Sequence, residues 1–257
     1  MNKSNRLLRD TIRGILLEEG LDNKSLSLVA ELQKINQRLE DLGARMQYGL
    51  NVFEDDRNIS VYFWRRFPGG SRPSLMSPEL DWAQGFYEGA SPEIQKTIER
   101  APWGRIEIVR DPGINGPCAG AWTVRHTLDT LKGWGPLLYD LAMELATARG
   151  GGLAPDRKSV SADANRIWTK YDGQRLGVNL VQLDAVGPDL KPDELTFGDQ
   201  LSPEDPSDDC LQISAHDDVG GARGKWRESP LSRAYKKPDG AVTKALKAAG
   251  LFWRAEV

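Results

Sequence analysis

The 257-residue chain has only two cysteines and two histidines. Cys118 and Cys210 can form at most one bridge, so a disulfide framework is not what stabilises the fold. A reducing compartment is expected. His126 and His216 stand apart. Asp208, Asp209, Cys210, His216, Asp217 and Asp218 cluster in sequence but lack a metal-ligand spacing, and no metal is expected. Long apolar runs are also missing. No window reaches the ~18–20 apolar residues of a membrane span. Arg6, Arg9 and Arg13 break up the first apolar stretch, so no secretory leader is expected. Charge of one sign is not in excess: 34 Lys and Arg against 37 Asp and Glu give −3. Bulk charge therefore does not favour nucleic acid or an anionic membrane. No Ser or Cys sits in a nucleophile elbow, which leaves a hydrolase triad without support. The expectation is a soluble, cytoplasmic protein.

What is present suffices for a core: 39% of the residues are hydrophobic and 28% charged. Periodicity predicts helices over 4–19 and 25–42. The second places Leu28, Leu32, Ile35, Leu39 and Leu42 at 4-3-4-3 spacing, a seam of about two heptads. It suits either a hairpin packed on the protein's own body or an arm that docks a protein partner or a second copy. Asn58 to Phe67 reads as a strand. Ser91, Pro92 and Glu93 open a short helix over 91–100. Strands are expected over 104–111 and 119–129, paired antiparallel around Pro-Gly-Ile-Asn-Gly-Pro. After Gly133-Trp134-Gly135 comes a helix over 136–149, then a short extended piece, a helix over 161–171 and a strand over 176–185.

Residues 184–218 hold eleven acidic residues and one basic residue. They read as a surface excursion. From residue 219 the sign reverses, nine Lys and Arg against three Asp and Glu, with a helix expected over 239–250. The opposed charges suit attraction within one molecule or a partner's basic surface. The resulting division is an N-terminal helical arm (1–43), a central α/β domain (44–185) and a C-terminal extension (186–257).

The chemistry-bearing unit is strand, hairpin, strand, Gly-x-Gly loop, helix, short strand, helix. A helix N-terminus presents unpaired N–H groups and a positive dipole end, which suits a pyrophosphate. Glycines before it let backbone approach the phosphates, and Lys132 adds charge. The stretch from Ala121 to Gly150, followed by Ser161 to Gly173, resembles the GNAT superfamily of acyl-CoA-dependent N-acetyltransferases. In that family an Arg/Gln-x-x-Gly-x-Gly/Ala loop binds acyl-CoA pyrophosphate, and a later helix carries Asn-x-x-Ala-x-x-x-Tyr, whose Tyr acts as acid on the departing thiolate. Gly133 and Gly135 match the loop, with Thr130 at the Arg/Gln position. Ser161 and Ala164 match the helix, with Trp168 at the Tyr position.

The resemblance implies a GNAT-like, mostly antiparallel mixed sheet flanked by helices, with acetyl-CoA or another acyl-CoA as cofactor. Its pyrophosphate would lie over Lys132, Gly133, Trp134, Gly135 and Leu137. Tyr171, almost one turn past Trp168, is the substitute acid. Glu107 and Asp129 are the candidate bases for an amine acceptor. His126, on a strand beside apolar neighbours, reads as structural. Trp122, Trp134 and Trp168 cluster around the loop, as core or as groove lining. The opening Leu8-Arg9-x-x-Ile12-Arg13-x-x-Leu16 resembles openings in large tailed bacteriophage proteins, and residues 133–161 are similar to phage acetyltransferase-like proteins. That resemblance implies an alternative in which the fold serves a non-catalytic virion protein, among virion partners.

Overall fold

The computed structural model describes residues 24–44, 46–66, 74–75, 90–110, 120–128, 130–156, 159–173, 177–185, 209–210 and 227–254. The helix expected over 4–19, the turn at 112–117 and most of the acidic stretch lie outside them. The fold is mixed α/β. Among the described residues, five helices pack with an open, mostly antiparallel sheet, whose main path of eight strands runs β11-β1-β2-β4-β5-β6-β10-β7. In chain order these elements are α1 (Lys24–Asp41), β1 (Gln47–Glu54), β2 (Asn58–Arg66), β3 (Ser74–Leu75), α2 (Pro92–Ile98), β4 (Arg105–Val109) and β5 (Trp122–Leu128). There follow α3 (Gly135–Ala148), β6 (Leu153–Ala154), α4 (Ala162–Asp172), β7 (Asn179–Gln182), β8 (Asp184–Ala185), β9 (Asp209–Cys210), β10 (Arg233–Lys236), α5 (Ala241–Ala248) and β11 (Phe252–Arg254). The two-residue β3 adds to β2, and β8 pairs β9 apart from the main sheet.

Helix starts follow local chemistry. Ser91 Oγ accepts from the Ile94 N–H at α2, and Ser161 Oγ from the Ala164 N–H at α4, each satisfying a first-turn donor. The α1 seam turns inward: Leu28, Leu32, Ile35 and Leu39 are buried in the main core, and α1 packs on β1, α3 and α5. Asn36 fixes its position by exchanging two hydrogen bonds with the Tyr48 backbone, at 2.7 and 2.8 Å. The side-chain amide stands in for a strand partner on the edge of β1 just before β11 joins it.

All five helices contribute buried residues to one core, together with one face of the sheet. α3 is buried nearly all round, as a helix enclosed by sheet and neighbouring helices must be. A smaller cluster, Ala121, Ala154, Leu183 and Ala234, occupies the other face, one residue out of phase with Trp122, Leu153 and Tyr235.

Three strands of the main path were not anticipated. From Tyr48 to Val52 both faces of β1 are covered, Tyr48, Leu50 and Val52 by helices, Gly49 by Trp253 and Asn51 by Tyr62, and the one exposed side chain beyond them is the apolar Phe53, so no polar alternation marks the strand. β10 is four residues long and β11 three, too short to carry a pattern. Both come from the segment that the charge reversal sets apart. β10 lies inside the sheet and β11 beside β1, so a boundary at 186 falls between strands of one sheet. The strand expected over 176–185 is split at Leu183, where the chain leaves β10 to pair with β9.

Because Leu32 is fully buried between α1 and the rest of the core, Leu32→Ala should cost about 2–5 kcal/mol of stability. Urea unfolding would show a lowered midpoint at unchanged slope. An unchanged midpoint would mean that α1 contributes nothing to the core.

Candidate functional site

β5 pairs with β4 along most of its length but with β6 only at Trp122↔Leu153 and Thr123↔Ala154. Pro155 then follows, and a proline cannot donate to a ladder. Beyond Thr123, no strand among the described residues pairs with that edge of β5, so its last five residues, Val124 to Leu128, have no strand partner on that side among the described residues. The base of this split is locked by glycines. Gly151 has φ +87°, and a Cβ there would fall 1.5 Å from the Gly120 carbonyl oxygen. A Cβ on Gly152 would meet the backbone of Tyr235 at 2.8 Å.

β5 also carries a bulge. Glu107 pairs with His126, but Ile108 pairs with Val124, leaving Arg125 as the extra residue. Bulges re-aim side chains and are frequent beside active sites. Here the bulge groups four polar side chains on the face opposite the helices. Glu107 lies 3.2 Å from Arg125 Nη1, 3.0 Å from His126 Nε2 and 4.0 Å from Arg105 Nη2.

At the far end of β5, the loop into α3 is drawn onto β4. The Leu131 N–H donates to the Trp103 carbonyl, and Gly104 abuts Thr130 so closely that a Cβ would fall 2.6 Å from its Oγ1. Gly133 takes φ +97°, a conformation that suits glycine. Trp134 is the N-cap and offers no side-chain hydrogen bond, and no acidic residue stands in the first turn of α3. The positive end of α3 therefore lacks an acidic side chain in its first turn. Some loop donors are spent internally: the Trp134 N–H bonds the Leu131 carbonyl, the Leu137 N–H bonds Trp134, and Pro136 has none.

The expected site residues fall into three places. Lys132, Gly133, Trp134, Gly135 and Leu137 stand together at the head of α3. Lys132 and Gly133 are exposed, while the Trp134 ring packs edge-on to Phe63 and Leu137 is buried. Glu107 lies on the opposite face of the sheet. Tyr171 is 2% exposed within the helix layer, and its hydroxyl donates to Asp140 Oδ1 at 2.7 Å. Burial, reinforced by the Asp140 charge, holds that phenol well above the ordinary tyrosine range. Trp168 packs between Tyr235 and Tyr139 at 5.0 and 5.4 Å. Asp129 lies outside the described residues.

Two residues gain prominence. His126 belongs to the Glu107 cluster. Tyr139, one turn into α3, shares a 3.1 Å hydrogen bond with Thr127, on the half of β5 that β6 leaves unpaired. Burial raises the Tyr139 phenol above its ordinary value. Its signal in sequence was its place four residues after Gly135, on the side of α3 that follows the loop. Compared with known proteins, the chain matches no family model, and no curated protein or solved structure is significantly similar to it.

Behind the split lies a buried charged network. Lys237, with no exposed side-chain surface, places Nζ 3.0 Å from Asp140 Oδ2. Glu144, one turn on, accepts from the N–H groups of Val242 and Thr243 and from the Thr243 hydroxyl, capping α5. Burial pushes the Glu144 carboxyl up, and these donors and Lys237 pull against it.

Two tests separate these roles. Asp140→Asn should lower stability by about 3–5 kcal/mol, because Lys237 is left as an unpaired buried charge. Adding Lys237→Met should recover most of the loss in urea unfolding, since Asn still accepts from Tyr171. No recovery would show that the ion pair itself is what counts. Gly151→Ala should destabilise beyond the ~1–3 kcal/mol of backbone strain alone, because of the contact with Gly120. A thermal midpoint equal to the parent's would contradict the locked base of the split.

Proposed function

We propose that the chain is an acyl-CoA-dependent N-acyltransferase of GNAT type, acting on an amine. One observation carries this reading: β5 and β6 are parallel neighbours that part after two residue pairs, with the start of α3 beside the opening. The GNAT resemblance implies that arrangement, with the pantetheine arm between the splayed strands and the pyrophosphate at the helix start. The order β5, Gly-x-Gly loop, α3, β6, α4 also agrees with it. Acetyl-CoA is the natural donor to test. Its carbonyl would lie along Val124 to Leu128, where the β5 backbone is open to a ligand's amides.

A second reading has its own support. Trp168, at the acid position, is packed in the core, and the Tyr171 hydroxyl is bound to Asp140. Neither offers a proton to a thiolate in the split. This favours a non-catalytic, virion-associated protein of phage origin that keeps the fold without the chemistry.

Calorimetry with acetyl-CoA decides between them. Binding is the expected outcome, and Gly135→Val should abolish it. The variant is clean, because the nearest atom to a Cβ at Gly135 is Ile167 Cδ1, at an ordinary 3.8 Å. The chain itself tolerates the branch, whereas a phosphate lying on that backbone would not. No heat of binding to the parent protein would remove the enzyme reading, and binding unaffected by Gly135→Val would remove the pyrophosphate placement.

A further inference from the structure

Two of the ionic clusters are committed to holding the fold. Asp140, Lys237, Tyr171 and Glu144 are buried and engage one another and the start of α5. Glu54, paired with Arg149 and Arg254, ties β1 to the end of α3 and to β11. The third cluster is different. Glu107 and His126 retain 15% and 35% of their side-chain surface, on strands that the β4–β5 ladder already holds.

The position of this cluster points to chemistry. His126 is on the half of β5 that β6 leaves unpaired, directly after the bulged Arg125. Glu107 Oε2 lies 3.0 Å from His126 Nε2. A carboxylate only accepts, so Nε2 carries the proton in that contact. The neutral ring is then held with the Nδ1 lone pair on its other side. Arg105 Nη2, 3.2 Å from the same Nε2, cannot donate to a nitrogen that already bears a proton. Together with Arg125 it balances the charge of Glu107 instead. The ionisable groups facing the ring are thus Arg105 and Glu107 from β4 and Arg125 from β5, with the Tyr62 phenol on β2 beside Arg105.

We infer that His126 Nδ1 is the general base of the acyl transfer and that Glu107 is its positioning partner. This rests on the acyltransferase reading and moves the base from the carboxylate to the imidazole. The acceptor arrives as an ammonium group, and Nδ1 takes one of its protons. The freed nitrogen lone pair attacks the thioester carbon, so that a C–N bond forms and the C–S bond breaks. Sulfur leaves with the electron pair and receives the second nitrogen proton through solvent. His126 returns its proton to water, and the products are an amide, a free thiol and one proton.

The chain's two histidines make the ring signals separable, with His126→Gln as the assignment variant. Long-range proton–nitrogen correlation on the full-length protein should place the proton of neutral His126 on Nε2, and Glu107→Gln should erode that preference. Saturating acetyl-CoA should shift the His126 signals. His126→Gln should bind acetyl-CoA as the parent does, yet release thiol with methylamine about 100-fold more slowly, the scale of general-base catalysis. A proton on Nδ1 would overturn the proposal. So would acetyl-CoA that binds by calorimetry without moving the His126 signals, or a variant that keeps the parental rate of thiol release. Failure of acetyl-CoA to bind the parent protein would overturn the acyltransferase reading and this proposal with it.

Discussion

The sheet is joined across its middle by two residues. Leu153 pairs with Trp122 on one side and with Tyr235 on the other, and Ala154 adds one more pair, to Thr123. Everything from β11 to β5 hangs on one side of β6, and β10 with β7 on the other. So short a strand supplies little ladder, so the two halves must be held by other means. Part of the remedy is steric. Gly151 and Gly152 bring β6 into backbone contact with Gly120 and Tyr235, where a side chain would have no room. The rest comes from the helix layer, and chiefly from α3.

α3 fixes both halves because it is enclosed on nearly all sides and carries two carboxylates inward. Asp140 reaches Lys237, just after β10, and Tyr171 on α4. Glu144 reaches the start of α5, which leads to β11 on the far edge. Thr147 extends the series, accepting from the Lys237 N–H. Buried charges in themselves are poor stabilisers, since desolvation offsets much of their attraction. What they do well here is penalise any arrangement that separates the partners. The charged residues of a compact interior thus fix which way the C-terminal segment wraps.

Local signals made much of the fold legible. Ser91-Pro92 and Ser161 announced the starts of α2 and α4. The 4-3-4-3 leucines announced α1, and the Gly-x-Gly ahead of Pro136 announced α3. Strand identity failed where pairing depended on distant chain. β10 and β11 owe their conformation to β6, β7 and β1, and a basic, lysine-rich segment gave no hint of them. The polar cluster was half legible. Glu107 was visible as a carboxylate on a strand, but its pairing with His126 depends on a register that slips by one residue at Arg125. Uniform alternation across the hairpin would have carried the wrong partners to that face. The buried role of Tyr171 was not legible, because its acceptor, Asp140, is thirty-one residues away and reads in sequence as an exposed helix position.

Tyrosine hydroxyls show how position, and not residue type, divides structure from chemistry in this layer. Tyr171 donates a hydrogen bond to the Asp140 carboxylate, and Tyr235 donates one to the Pro230 carbonyl, so both are tied inward. Tyr139 instead meets Thr127, a neutral hydroxyl on the half of β5 that β6 leaves unpaired, and it can accept or donate. A hydroxyl bound to a buried carboxylate is held against a second charge and has no route to the split. One bound to another hydroxyl can exchange partners at little cost, since the threonine can also turn to water. Of these three phenols, Tyr139 alone borders the strand edge where β5 and β6 part. Any proton donor that serves a ligand there from the helix side has to act through that contact, whereas the Glu107 and His126 pair serves it from the opposite face.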